Sequence, residues 1–246
     1  MLGPSGHIDT FTRDNLPPLE QWPEMPLDGF EYPEWLNCGY ELTDAMVARG
    51  FGDHTALIGN GRIRTYKELT DWTNRIAHVL VEDYGVKPGN RILVRSANNP
   101  AMVAVWLAAT KAGAVVVNFS PLYSVEELEQ QVADSGTRLL VTVDVPELYA
   151  TAEKVLHGPA LETLVVSSLP QMLPTLKGLA MRVLARSKIA KVAYGPSILP
   201  WRTFLESGER NPGELPAIDP QGLALLQYTG GTTGTPKGAM LTHANR

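Results

Sequence analysis

Apolar and polar positions follow two rhythms along this chain. Across residues 67–84, Leu69, Trp72, Ile76, Val79 and Leu80 recur every three or four positions, the spacing that lines one face of a helix. Other apolar runs lack that period. They are rich in Val and Leu and stay apolar end to end, as strands buried on both faces do. Such runs occupy 91–95, 114–118, 138–143, 163–168 and 223–228. Helical stretches at 101–111, 125–134 and 146–156 separate the first four, and Gly113 closes the earliest of them. This alternation predicts an α/β fold: a doubly wound, mostly parallel sheet with helices on both faces.

Three regions depart from the pattern. Residues 1–50 carry Pro17, Pro18, Pro23, Pro26 and Pro33, which lack a donor and fix φ, so they predict an extended arm leading to a first helix. Asn60-Gly61 between 55–59 and 62–66 is a hairpin signal at the start of the α/β domain, which runs over 51–246. The third is a basic insert at 170–200. From Thr163 to Leu205 there is no Asp or Glu, while Lys177, Arg182, Arg186, Lys188, Lys191 and Arg202 are interleaved with Leu, Val, Met and Ile. A basic amphipathic helix at an anionic lipid surface fits this, and so does a surface helix with a solvated basic face.

Composition narrows the functional classes. With 246 residues, a net charge of −5 and a pI near 5.6, the chain does not advertise nucleic-acid binding. The single cysteine, Cys38, excludes an internal disulfide and sits in no motif, which fits a reducing, cytoplasmic setting. The N-terminus has neither a basic start nor an apolar h-region, so no signal peptide is expected. The most apolar stretch, 101–117, is interrupted by Lys111 and Gly113 and falls short of the about 20 apolar residues a span requires.

The chemistry concentrates after the last apolar run, in Tyr228-Thr229-Gly230-Gly231-Thr232-Thr233-Gly234-Thr235-Pro236-Lys237-Gly238. Glycines allow positive φ and bring backbone N–H groups close to anionic oxygens. Threonine hydroxyls add donors, each contributing roughly 1.5–3 kcal/mol to a charged partner. Lys237 adds a mobile positive charge, and no carboxylate is present to repel phosphate. A flexible linker is the plain alternative. Against it, the segment leaves a buried-looking strand, ends in one lysine and resumes as apolar Ala239-Met240-Leu241. The Walker-type loop is excluded by residue, since Pro236 precedes Lys237 and Gly238 follows it.

Residue for residue, this segment resembles the phosphate-loop signature of the adenylate-forming superfamily of acyl-CoA synthetases, luciferases and peptide-synthetase adenylation domains. Gly230 and the continuation Ala239-Met240-Leu241-Thr242-His243 resemble the long-chain fatty acid–CoA ligases. Thr65-Tyr66-Lys67-Glu68-Leu69 and the stretch 107–114 with Asn118 and Pro121-Leu122-Tyr123 resemble motifs of the superfamily, and the basic insert ending Tyr194-Gly195-Pro196 resembles the long-chain branch, so the likeness covers nearly the whole chain.

The resemblance implies a two-step ligase: a fatty acid and ATP give acyl-AMP and pyrophosphate, and the acyl group passes to CoA. It implies phosphate binding by Thr229, Gly230, Gly231, Thr232, Thr233, Gly234, Thr235, Pro236, Lys237 and Gly238, with Tyr228 shaping the base of the loop. Lys237 and Thr232 carry the catalytic roles, and His243 is a structural residue beside the following helix. The Mg²⁺ ligand, the adenine and CoA contacts and the last catalytic lysine are expected beyond Arg246, which reads as the N-terminal fragment of a longer enzyme, inactive alone. Two other readings stay open: a non-catalytic nucleotide-binding remnant, and an adenylating enzyme for an aryl, medium-chain or amino acid. A homodimer rests on the family analogy alone.

Overall fold

The computed structural model describes residues 17–22, 36–59, 61–158, 160–208, 216–229 and 237–244. The chain divides into two units, Met1–Tyr32 and Pro33–Arg246. In the first, the described part is a single 3₁₀ turn, Leu19–Gln21, followed by Trp22, whose indole N–H donates to Pro17 O at 2.8 Å. Most of the proline-rich arm lies outside the described residues.

The second unit opens with two short helices, α1 (Cys38–Glu41) and α2 (Asp44–Met46), the latter running into a π-helical turn, Val47–Phe51. Asn37 caps α1, accepting from Tyr40 N, and its amide donates to Lys111 O at 2.9 Å. The expected hairpin follows: β1 (Thr55–Gly59) pairs antiparallel with β2 (Arg62–Thr65), and Gly61 takes the left-handed φ of 75° that the turn needs. Thr65 and Glu68 form a reciprocal capping box that starts α3 (Tyr66–His78), prolonged by a π-helical turn, Val79–Asp83.

Strands β3 (Arg91–Val94), β4 (Val115–Asn118), β5 (Leu139–Val143) and β6 (Thr163–Ser167) fall within a residue or two of the runs read from sequence. Helices α4 (Pro100–Lys111), α5 (Val125–Ser135) and α6 (Pro146–Leu156) connect them. The basic segment holds α7 (Leu169–Met172), α8 (Thr175–Leu184) and an edge strand, β7 (Ile198–Pro200), then α9 (Trp201–Ser207). That segment is therefore part of the sheet's construction and not an appendage to it. Strand β8 (Leu223–Thr229) completes the parallel set, and β9 (Lys237–Thr242) adds an antiparallel edge.

The seven strands run β7-β6-β5-β3-β4-β8-β9, all parallel except the last pair. Alternation along each strand divides the core in two. Ile92, Val94, Val116, Leu139, Val141 and Val165 pack with α3, α4 and Trp201 on one face. Leu93, Val115, Val117, Leu140, Leu164 and Val166 pack with Leu128 and Val132 of α5 and with Tyr149, Ala152 and Val155 of α6 on the other. Both faces are dry, which is why these strands read as unbroken apolar runs. Each fully buried Leu, Ile or Val here contributes roughly 1.5–3 kcal/mol. Helix α4 is buried nearly all round, between the sheet and α1 and α3, so its sequence carries little amphipathic signal.

Candidate functional site

Of the site residues singled out by sequence, Tyr228, Thr229, Lys237 and Gly238 are described, and they stand at the carboxyl end of β8, the edge where open α/β sheets bind ligands. In-register pairing sets Val94 beside Asn118 and Asn118 beside Gln227, so the loops after these strands leave the sheet side by side. Strand order first reverses between β3 and β5. At that point stands Arg95, 1% exposed, its guanidinium donating to Leu148 O at 3.0 Å, Pro121 O at 2.8 Å and Tyr123 O at 3.1 Å. Burial pulls its pKa below the usual guanidinium range. Arg95 thus binds the start of α6 to the turn after β4 and fills with protein the crevice where many such folds take a ligand.

The turn after β4 builds the floor of the neighbouring position. Phe119 stands edge-on to Tyr123, with ring centroids 4.9 Å apart, and lies 6.5 Å from the ring of Tyr228. Tyr228 is 5% exposed and its hydroxyl donates to Asp134 Oδ2. Asp134 sits in the last turn of α5, where the helix dipole disfavours an anion, and the phenol compensates with a direct donor. Burial first, and the Asp134 carboxylate second, hold the phenol well above its ordinary pKa, so Tyr228 stays protonated across the physiological range. A Cβ added at Gly238 would come within 3.3 Å of Tyr228 Cζ, so a larger residue would make the ring give by a few tenths of an ångström.

The glycine–threonine segment leaves from the next residue. Thr229 and Lys237 are partners in the antiparallel β8–β9 ladder, as are Tyr228 and Gly238. Both Thr229 and Lys237 are exposed. Residues Gly230, Gly231, Thr232, Thr233, Gly234, Thr235 and Pro236 lie outside the described residues. Their two ends are nonetheless closed on each other at the carboxyl edge of a buried parallel strand. Alongside, Asn118 donates to Gln227 Oε1 at 3.3 Å, and Asn118 Oδ1 is buried with no partner among the described residues.

Sequence reasoning missed Asp134 and Arg95. Asp134 lies 94 residues from Tyr228 and reads as a solvated helix-end acid; Arg95 reads as the polar end of a strand. His243 is 5% exposed just after β9, and its Nδ1 accepts from Cys38 N at 3.4 Å. Burial lowers its pKa and raises that of the Cys38 thiol, whose Sγ lies 3.5 Å from His243 O. The helix expected after Asn245 lies outside the described residues. Among the described residues no group of three or more His, Cys, Asp or Glu could hold a metal. No helix among them is long and apolar enough to cross a membrane.

These elements form a doubly wound, mostly parallel α/β domain closed by the antiparallel β8–β9 pair. The chain belongs to the AMP-binding enzyme family, which matches residues 45–246. It is 32% identical over 215 residues to a long-chain-fatty-acid–CoA ligase of Escherichia coli O6:H1, covering 87% of this chain and 38% of that protein. It is 31% identical over 191 residues to a feruloyl-CoA synthase of an Amycolatopsis species, covering 78% of this chain and 30% of the other. Its fold superposes with a TM-score of 0.70 on the crystal structure of an anthranilate CoA ligase with bound anthranoyl-AMP, at 20% identity, covering 89% of this chain and 36% of that one. The chain thus spans 38% of the length of the E. coli relative.

Proposed function

We propose that this chain supplies the triphosphate-binding part of an acid–CoA ligase that activates a long-chain fatty acid as acyl-AMP. The observation that carries the reading is the Thr229–Lys237 pairing, which fixes both ends of the glycine–threonine segment at the carboxyl edge of β8. Backbone N–H groups and hydroxyls of 229–235 cradle the β- and γ-phosphates, and the Lys237 ammonium neutralises charge on the departing pyrophosphate. A carboxylate oxygen bonds to the α-phosphorus as the bond to pyrophosphate breaks. In the second step the CoA thiol attacks the acyl carbon and AMP leaves. Phosphoryl chemistry of this kind depends on positioning and charge stabilisation, which the segment's composition favours. Tyr228, pinned by Asp134 and packed on Phe119, keeps the root of the segment rigid. The Thr232 hydroxyl supplies a further donor to the transferring group.

The fatty-acid assignment rests on the E. coli relative's name and on the basic, apolar segment at 170–200, which suits an acid dissolved in lipid. The feruloyl-CoA synthase keeps an aryl acid as the competing substrate class. In the full-length parent enzyme, acid-dependent exchange of pyrophosphate into ATP separates the two: palmitate is expected to support exchange and ferulate or benzoate to support little. Preferential exchange with an aryl acid would overturn the fatty-acid assignment. ATP binding without exchange for any acid would favour a nucleotide-binding remnant.

A further inference from the structure

Helix α8 is mounted inside out. A surface helix ordinarily turns its apolar stripe to the core and its charges to water. Here Leu176, Leu179, Val183 and Leu184, spaced to share one broad face, are 82%, 60%, 64% and 85% exposed. The opposite face meets the protein. A Cβ at Gly178 would fall 2.2 Å from Pro170 O, so the backbone itself is pressed against α7, and Met181, one turn on, is half-buried on the same side. Lys177 and Arg182 are exposed on either border of the outward stripe, and Arg186, Lys188 and Lys191 continue the charge beyond it. Arg182 also acts on Asp144, helping to hold its carboxyl down against the effect of burial.

A second element reaches the same place. The β1–β2 turn touches the start of α8, where a Cβ on Gly61 would lie 3.2 Å from the Pro174 ring. That hairpin exposes its cross-strand pair Ile58 and Ile63, 79% and 64% accessible.

We propose that the outward face of α8 docks the protein on an anionic lipid bilayer, Leu176, Leu179 and Val183 entering the headgroup boundary while the surrounding lysines and arginines meet lipid phosphates. Charge selects this occupant: with no Asp or Glu between Thr163 and Leu205, the rim is complementary to an anionic surface. The apolar content is aliphatic, whereas protein partners are usually anchored by Trp, Tyr and Arg set in pockets. Aliphatic burial and rim charge act together in such docking, the charge contribution falling with salt.

Co-sedimentation with phosphatidylcholine vesicles, with and without phosphatidylglycerol, tests this. The wild-type chain is expected to bind the phosphatidylglycerol vesicles more tightly, and added salt to weaken that binding. The variant L176Q/L179Q/V183Q should bind at least about tenfold more weakly. The charge-reversed R186E/K188E/K191E, which alters exposed positions only, should also lose about tenfold and lose the salt dependence. Unchanged circular dichroism checks that both variants fold. Equal vesicle binding by wild type and both variants, or none by the wild type, would overturn the proposal. So would self-association of the wild type that the apolar variant abolishes without any vesicle binding, which would give the face to a second copy. None of these outcomes bears on the nucleotide site, which lies on other elements.

Discussion

Thr229 and Lys237 are cross-strand partners, so the segment between them is a closed crossing between two adjacent strands and not a linker between domains. Lys237 is exposed at that pairing, the position that the proposed phosphate contact requires.

In the full-length parent enzyme, Lys237→Ala is expected to slow acyl-adenylate formation by about 10²- to 10³-fold, the range found when a single charge-stabilising donor is removed. The side chain is exposed, so stability should change by no more than about 0.5 kcal/mol. Pyrophosphate exchange and urea unfolding measure the two effects, and an exchange rate equal to wild type would remove Lys237 from the mechanism.

Tyr228→Phe takes away the donor that satisfies the Asp134 carboxylate at the end of α5. A loss of about 0.5–1.5 kcal/mol in unfolding free energy is expected, since Asp134 is exposed and water can replace the phenol. The same change in an Asp134→Ala background should cost less, because the hydrogen bond is already gone. An equal cost in both backgrounds would show that the hydrogen bond is not what the phenol contributes.

Lys111 marks a second polar contact that holds the N-terminal helices to the domain. Its ammonium, fully buried, lies 2.5 Å from Asp44 Oδ2, 2.6 Å from Asn74 Oδ1 and 3.0 Å from Thr73 Oγ1. Burial lowers its pKa and Asp44 opposes that shift. Asp44→Ala strands a cation in the core and should cost about 3–5 kcal/mol. Lys111→Met removes the charge with its need for a partner and should cost less. Reversal of that order in chemical denaturation would contradict this account of the pair.

His243 makes stability depend on pH. Burial lowers its folded pKa below the ordinary 6.5, so just below that pH the unfolded chain binds a proton that the fold refuses. Stability should therefore rise with pH through this window, be complete above it, and fall on acidification. The slope between about pH 5.5 and 7.5 should flatten in His243→Gln. Thermal melts of both proteins across that range decide it, and parallel slopes would acquit His243.

Much of this architecture is legible in the chain. The strands at 91–94, 115–118, 139–143 and 163–167 announce themselves because both their faces are dry, and Thr65/Glu68 and Gly113 punctuate the helices by local chemistry. Strand β7 was not legible, since a three-residue edge strand ending in proline carries almost no pattern. Strand β9 follows glycine, threonine and proline and exposes Met240 and Leu241, so neither burial nor period reveals it. At the site, the segment 228–238 declares itself by composition. Its supports do not: Asp134 and Arg95 acquire their roles only when distant strands bring Tyr228 and the 119–123 turn against them.

The most direct measurement of the triphosphate cradle is amide hydrogen exchange of the peptide covering 229–238, with and without ATP. The account predicts slower exchange across that peptide when ATP is present, with the protection lost or greatly reduced in Lys237→Ala. Exchange there that is already slow in the free protein and indifferent to ATP would mean that the amides are committed to the protein's own backbone, and would contradict it.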